Sequence, residues 1–130
     1  MADHPNIQRL RTGYDAFAKG DFAALDDLFA EDIRWESPGR NQLSGTYEGR
    51  AAVYDFFRRL VEVTEGTFRV EVHKIFADDN DAVVVATSSG HRGQVSAETL
   101  EAHIWRLRDG RTTHFRVAST DQYAVDELFG

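Results

Sequence analysis

The run Ser96-Ala-Glu-Thr-Leu-Glu-Ala-His-Ile-Trp-Arg-Leu-Arg-Asp-Gly-Arg-Thr-Thr-His-Phe-Arg-Val-Ala-Ser119 decides the fold. Asp109-Gly110 at its centre is a strong hairpin signal, because a two-residue turn between antiparallel strands needs positive φ at both positions. A long strand from about Ser96 to Arg108 therefore feeds a last strand from Thr112 to Ser119. Alternation puts Glu101, His103, Trp105 and Leu107 on one face. Trp105 and Leu107 are too apolar for a solvated face, so His103 goes with them into a cavity or an interface. On the last strand, His114 and Arg116 alternate away from Phe115 and Val117, toward the other side of the sheet.

Two further strands precede this hairpin. Phe68, Val70 and Val72 alternate with Arg69, Glu71 and His73, a one-face-buried pattern. Asp78 to Asp81 reads as a turn, Ala82 to Ser89 as the most apolar strand, and Gly90 to Gly93 as a second turn. The first half has helical period instead. Ile7, Leu10, Tyr14 and Phe17 predict an amphipathic helix that Gly20 ends. Asp21 is a natural N-cap for a second, with Phe22, Leu25, Leu28 and Phe29 on one face. Ile33 to Glu36 reads as a short edge strand, and Pro38 to Gly49 as a loop. A third helix runs from about Arg50 to Thr64, burying Val53, Phe56, Phe57 and Leu60. Thr120 is expected to cap a short C-terminal helix carrying Tyr123, Leu128 and Phe129. Helices then strands, without linker or repeat, predict a single α+β domain over residues 1–130. A long meander twists and curls, and helices closing one mouth of the curl leave a tapered cavity.

Several stretches together resemble a known family: Tyr14-Asp-Ala-Phe-Ala-Lys-Gly-Asp-Phe-Ala-Ala-Leu25, Leu28-Phe-Ala-Glu-Asp-Ile-Arg-Trp35, Gly45-Thr-Tyr-Glu-Gly-Arg50 and Trp105-Arg-Leu-Arg-Asp-Gly-Arg111. The chain resembles the nuclear-transport-factor-2-like (NTF2-like) superfamily, and within it the SnoaL-like and ketosteroid-isomerase-like proteins. The resemblance covers essentially the whole chain. It implies a cone-shaped fold, with three N-terminal helices on a curved antiparallel sheet of four to five strands and a short C-terminal helix. It also implies a homodimer formed through the outer sheet face. The superfold hosts isomerases, cyclases, epoxide hydrolases, dehydratases and non-catalytic binders, so it does not fix a function.

Carried over residue by residue, the resemblance places Ser37 of Trp35-Glu36-Ser37-Pro38 where the isomerases have a catalytic Asp. A hydroxyl cannot replace that carboxylate as a base. Aligned on the hairpin, His103 falls at the second isomerase position, a protonated Asp that donates to a developing oxyanion, a system long used as an example of pKa tuning. Asp121 lies near the acid/base position of the SnoaL-like cyclases.

The candidate catalytic residues are accordingly His103, Glu36, Tyr14 and Asp121. An imidazole in an apolar cavity is a general acid, base or donor near neutral pH; the competing reading is an anchor for a buried polar group. Glu36 beside an apolar pocket would have a raised pKa, or is simply a solvated strand-end carboxylate. Tyr14 offers a hydroxyl to the cavity or bonds backbone as core tyrosines do; Tyr54 and Tyr47 have similar standing. Asp121 at a helix start complements the macrodipole whether or not it is catalytic. Phe17, Trp35, Tyr54, Phe57, Trp105 and Phe115 are the candidate substrate-binding side chains.

Composition narrows the classes. A formal charge of −7 disfavours nucleic acid or an anionic membrane as partner. The absence of Cys excludes disulfides and thiolate chemistry. The longest aliphatic run, Ala82 to Ala86, is far too short to span a bilayer, and the polar N-terminus carries no signal segment, so a cytoplasmic location is the default. The five His show no His-x-x-x-His or Glu-x-x-His pair, so no metal site is expected. No phosphate loop or Gly-x-Ser-x-Gly elbow is present either. Two functions remain. One is a cofactor-independent enzyme performing isomerase-, cyclase- or dehydratase-type proton transfer on an apolar carbonyl compound. The other is a non-catalytic module of the same fold that binds a small apolar molecule.

Overall fold

The computed structural model describes residues 3–130. Helix α1 covers Pro5–Ala18, with Pro at its first turn and the His4 ring accepting from the Asn6 amide. Its inner face is the predicted one, with Leu10 fully buried and Ile7, Tyr14 and Phe17 packed against the core. Gly13 has a steric reason: a Cβ there would come within 2.4 Å of Leu28 Cδ2.

The second predicted helix is only one six-residue 3₁₀ stretch, Phe22–Asp27, capped as expected by Asp21. The helical spacing of Leu25, Leu28 and Phe29 misleads, because Phe29 already belongs to strand β1, Phe29–Ser37. The backbone must turn within a few residues to enter the sheet, and a 3₁₀ turn is the short element that does so. Strand β1 is not an edge. It pairs antiparallel with β2, Gly45–Glu48, inside the segment expected to be all loop, and parallel with the last strand of the chain, Arg111–Ser119.

Helix α2, Arg50–Val63, buries Val53, Phe56, Phe57 and Leu60 as its pattern predicts. The remaining strands are β3 (Arg69–Ala77), β4 (Asp81–Arg92), β5 (Val95–Arg108) and β6 (Arg111–Ser119). Strand β4 runs past the expected turn at Gly90 to Arg92, so the β4–β5 turn sits at Gly93-Gln94. Asp109 (φ 52°) and Gly110 (φ 79°) both adopt the left-handed conformation that the β5–β6 hairpin requires. Helix α3, Gln122–Phe129, is capped by Asp121; Thr120 instead hydrogen-bonds the Leu100 carbonyl.

The sheet has six strands in the order β2-β1-β6-β5-β4-β3, mostly antiparallel with one parallel pair. Register shifts interrupt three strand pairs, between Phe29 and Arg34, Val72 and Lys74, and Arg106 and Leu107. Such bulges increase local twist, and the sheet curls without closing. The helices cover its concave side. The convex side leaves Phe76, Val83, Leu100 and Ile104 exposed. Among the described residues, no helix is long and apolar enough to cross a membrane.

Candidate functional site

The curl and its helices enclose a cavity of about 110 Å³. Its wall is mostly aromatic. Phe17 comes from α1, Phe56 and Phe57 from α2, Trp35 from β1, Trp105 from β5 and Phe115 from β6. Parity explains the sheet side of this wall. Trp35, Phe115 and Trp105 face one another across three neighbouring strands, with Trp35 and Phe115 stacked at 3.7 Å between centroids. Of the predicted contact residues, Phe17, Trp35, Phe57, Trp105 and Phe115 all line the cavity. Tyr54 does not. Its hydroxyl donates to Asp26 at 2.6 Å and its ring stacks on Phe22. Tyr47 likewise donates outside the cavity, to the Leu43 carbonyl.

One connected polar chain interrupts the apolar wall. The Tyr14 hydroxyl lies 2.6 Å from His103 Nδ1 and accepts the indole N–H of Trp105 at 3.1 Å. His103 Nε2 lies 3.0 Å from a Glu101 carboxylate oxygen. That carboxylate also accepts Ser88 Oγ–H at 2.7 Å and Thr99 Oγ1–H at 3.0 Å. Thr99, Glu101 and His103 are alternate residues of β5, and Ser88 is the cross-strand neighbour of Thr99 on β4. Glu101 and His103 are 8% and 5% exposed, so the pair works in a low-dielectric setting. Burial by itself would raise the Glu101 pKa. Hydrogen bonds from His103, Ser88 and Thr99 outweigh it and hold the carboxyl below its usual range. Burial pushes the Tyr14 phenol far above its ordinary value, so it stays protonated.

These contacts set the proton positions. An ionised carboxylate can only accept, so His103 Nε2 carries the proton that faces Glu101. In the neutral imidazole Nδ1 is then an acceptor, and the Tyr14 hydroxyl donates to it. Among the described residues, every buried side-chain nitrogen and oxygen has a partner.

The other two predicted catalytic residues fall elsewhere. Glu36 alternates with Trp35 onto the convex face, where it accepts from Arg116 Nε at 2.8 Å and pairs with His114. The His114 contact is the main reason its pKa is lowered, the reverse of the raised value expected beside an apolar pocket. Asp121 accepts the Ala124 amide as the cap of α3 and is absent from the cavity lining. Ser37 does line the cavity, together with Ser119 and Gln122. Glu101 is legible in the sequence as an inward-facing residue of β5, but the reading of residue types does not pair it with His103; an acceptor and a donor two apart on one strand are the available signal. Among the described residues, no group of three or more His, Asp or Glu side chains stands close enough to hold a metal ion.

The sequence profile of the SnoaL-like domain matches residues 10–115, which spans both halves of the cavity. The chain belongs to the SnoaL-like domain family. It is 25% identical over 130 residues to the uncharacterised protein Rv0034 of Mycobacterium tuberculosis, covering 99% of each chain. Bal32a, from a soil-derived mobile gene cassette, is 30% identical with a TM-score of 0.91 over 96% of each chain. TerC, whose structure was determined with polyporic acid, is 25% identical with a TM-score of 0.85, covering 97% of this chain and 98% of its own. The fold of this SnoaL-like chain is the NTF2-like fold.

Proposed function

We propose that this SnoaL-like protein is a cofactor-independent enzyme that moves a proton on a small, largely apolar carbonyl compound. The observation that carries the reading is the Tyr14–His103–Glu101 chain, three titratable groups joined by hydrogen bonds in an otherwise aromatic cavity. A buried acid/base side chain oriented by a second group is the arrangement proton transfer requires. A passive apolar pocket would be better served by hydrocarbon there, since each buried polar group costs desolvation. The capture of polyporic acid by TerC supports a small organic ligand for this scaffold. Phe17, Trp35, Phe57, Trp105 and Phe115 would supply the binding area.

The functional unit in this reading is a homodimer. Phe76, Val83, Leu100 and Ile104 form an exposed apolar group on the convex face, with the charged Glu36, Arg106 and Arg116 around it.

The test is a pair of His103 variants screened against apolar carbonyl compounds. His103→Ala is expected to abolish turnover. His103→Asn retains a donor but no useful base, so it also loses turnover if His103 transfers a proton. Wild-type rates in both variants would make His103 structural and refute the site assignment, whereas ligand binding by the wild type without turnover of any of these compounds would refute the enzyme reading and leave the binding module.

A further inference from the structure

The polarity of the buried chain carries a further step, which rests on the proposed proton-transfer reading. Tyr14 has one hydroxyl proton and two lone pairs. The proton is committed to His103 Nδ1, and one lone pair accepts from Trp105. What remains at that oxygen is a lone pair. His103 has nothing left, since Nδ1 faces Tyr14 and Nε2 faces Glu101. Among the described residues, Tyr14, Glu101 and His103 are the only titratable groups that line the cavity, so no other charge competes for the imidazole there.

We propose that the Tyr14 oxygen, not His103, meets the ligand, that it acts there as a proton acceptor, and that Glu101 is the positioning residue that makes it one by fixing the imidazole tautomer. The substrate class follows: an uncharged molecule that presents an acidic hydrogen to Tyr14, such as the C–H next to a carbonyl or an enol O–H. In the step itself, the ligand's proton passes to the Tyr14 oxygen while the Tyr14 hydroxyl proton passes to His103 Nδ1. The bonding pair stays on the ligand as an enolate, and the imidazolium faces the Glu101 carboxylate. Reversal at a second ligand carbon completes an isomerisation with no net proton change. Glu101 thus stands to His103 as the acid of a catalytic triad stands to its histidine, with a phenol in place of the serine hydroxyl. Ser119 fits the other end of such a ligand. Its Oγ accepts the Asp121 amide, which leaves its own proton free, and it lies directly across the strand pair from Glu101.

The opposite polarity would hold if Nδ1 carried the proton. Tyr14 would then accept from His103 and donate to the ligand. An unprotonated Nε2 would face a carboxylate, two acceptors 3.0 Å apart, which disfavours that state while His103 is neutral.

Two measurements test this. The first is nitrogen NMR of the imidazoles at a pH where His103 is neutral, with the His103→Asn variant used for assignment. A pyrrole-type Nε2 and pyridine-type Nδ1 are expected, and Glu101→Leu should move them toward a tautomer mixture. A protonated Nδ1 in the wild type overturns the proposal, and an unmoved signature in the Leu variant removes Glu101 from it. The second is calorimetric binding of neutral β-naphthol and of its methyl ether, near-isosteric probes of which only the first has a proton to give. About tenfold tighter binding of the naphthol is expected, falling toward parity in Tyr14→Phe. Equal or tighter binding of the ether overturns the acceptor assignment and leaves the proton-transfer reading standing. Binding of neither probe sinks the pocket reading and the proposal with it.

Discussion

Replacing Glu101 tests whether the buried chain is a single cooperative unit. Glu101→Leu leaves three buried donors without an acceptor, namely Ser88 Oγ–H, Thr99 Oγ1–H and His103 Nε2–H. Orphaning a buried donor costs about 1–3 kcal/mol, so three would cost several if none relaxed. Two effects lower the sum. The hydroxyls can rotate toward other acceptors, and the leucine no longer carries a desolvated carboxylate. These offsets place the loss at the lower end of the range for breaking a buried pair, about 3 kcal/mol. With a urea slope of about 1.5–2 kcal/mol/M, the midpoint should fall by about 1.5–2 M. Glu101→Gln keeps an oxygen for Nε2–H and Ser88 and can turn its amide toward Thr99. It should lose about 1 kcal/mol. The two variants also differ from the wild type in their pH response. The native pKa of Glu101 is depressed. Its ionisation therefore stabilises the fold above the unfolded carboxyl value, about 4.3, and that contribution disappears as pH falls through the native value. The gap between wild type and Glu101→Gln should be widest near neutral pH and narrow on acidification. Urea titrations at several pH values read all of this. A Leu variant within about 0.5 kcal/mol of the wild type would refute the claim that the carboxylate anchors the network.

Tyr14 predicts an alkaline limb of the opposite sense. Its native pKa is raised by burial, so stability is full below the unfolded phenol value of about 10 and declines as pH rises beyond it; Tyr14→Phe should flatten part of that decline in thermal melts, and an unchanged slope would mean the phenol is not held neutral. The convex face predicts association: light scattering at high micromolar concentration should give twice the chain mass, and Ile104→Glu, in the middle of the exposed apolar group, should give a monomer. A monomeric wild type would refute the dimer.

The legible parts of the chain are those where a local signal and the tertiary answer coincide. Asp109-Gly110 specifies its turn through backbone φ alone, and alternation along the strand that this turn ends is enough to put His103 on one face with Trp105 and Leu107. Helices α1 and α2 are readable because each carries an apolar stripe that the sheet buries. Where two periodicities overlap, the local reading fails. Leu25, Leu28 and Phe29 have helical spacing, but Phe29 and Ala30 are both buried next to a bulge at the start of β1, a backbone irregularity with no sequence mark. Strand β2 is four residues of an edge and its side chains are mostly exposed, so no burial pattern announces it. The parallel pairing of β1 with β6 is a contact between distant segments and leaves no local trace at all.

The candidate site follows the same division. Which side chains reach the cavity is largely a matter of strand parity, and parity is written in the sequence; it also excludes Glu36, whose neighbour Trp35 faces inward. What the side chains do once there depends on who bonds whom, and that depends on α1 lying over β5 so that Tyr14 meets both His103 and Trp105. The meeting changes the chemistry assigned to His103. Taken alone, it is a free imidazole in an apolar pocket. Taken with its partners, it is the middle of a chain whose two nitrogens are already engaged. In the proposed function the ligand draws its affinity from aromatic area, as each ring it covers sheds water. Its orientation comes from the small number of polar atoms the protein leaves uncommitted. Discrimination between ligands of similar shape should therefore reside in the Tyr14 oxygen rather than in the imidazole behind it, because a polar group confers selectivity only where its unmet valence would otherwise be buried.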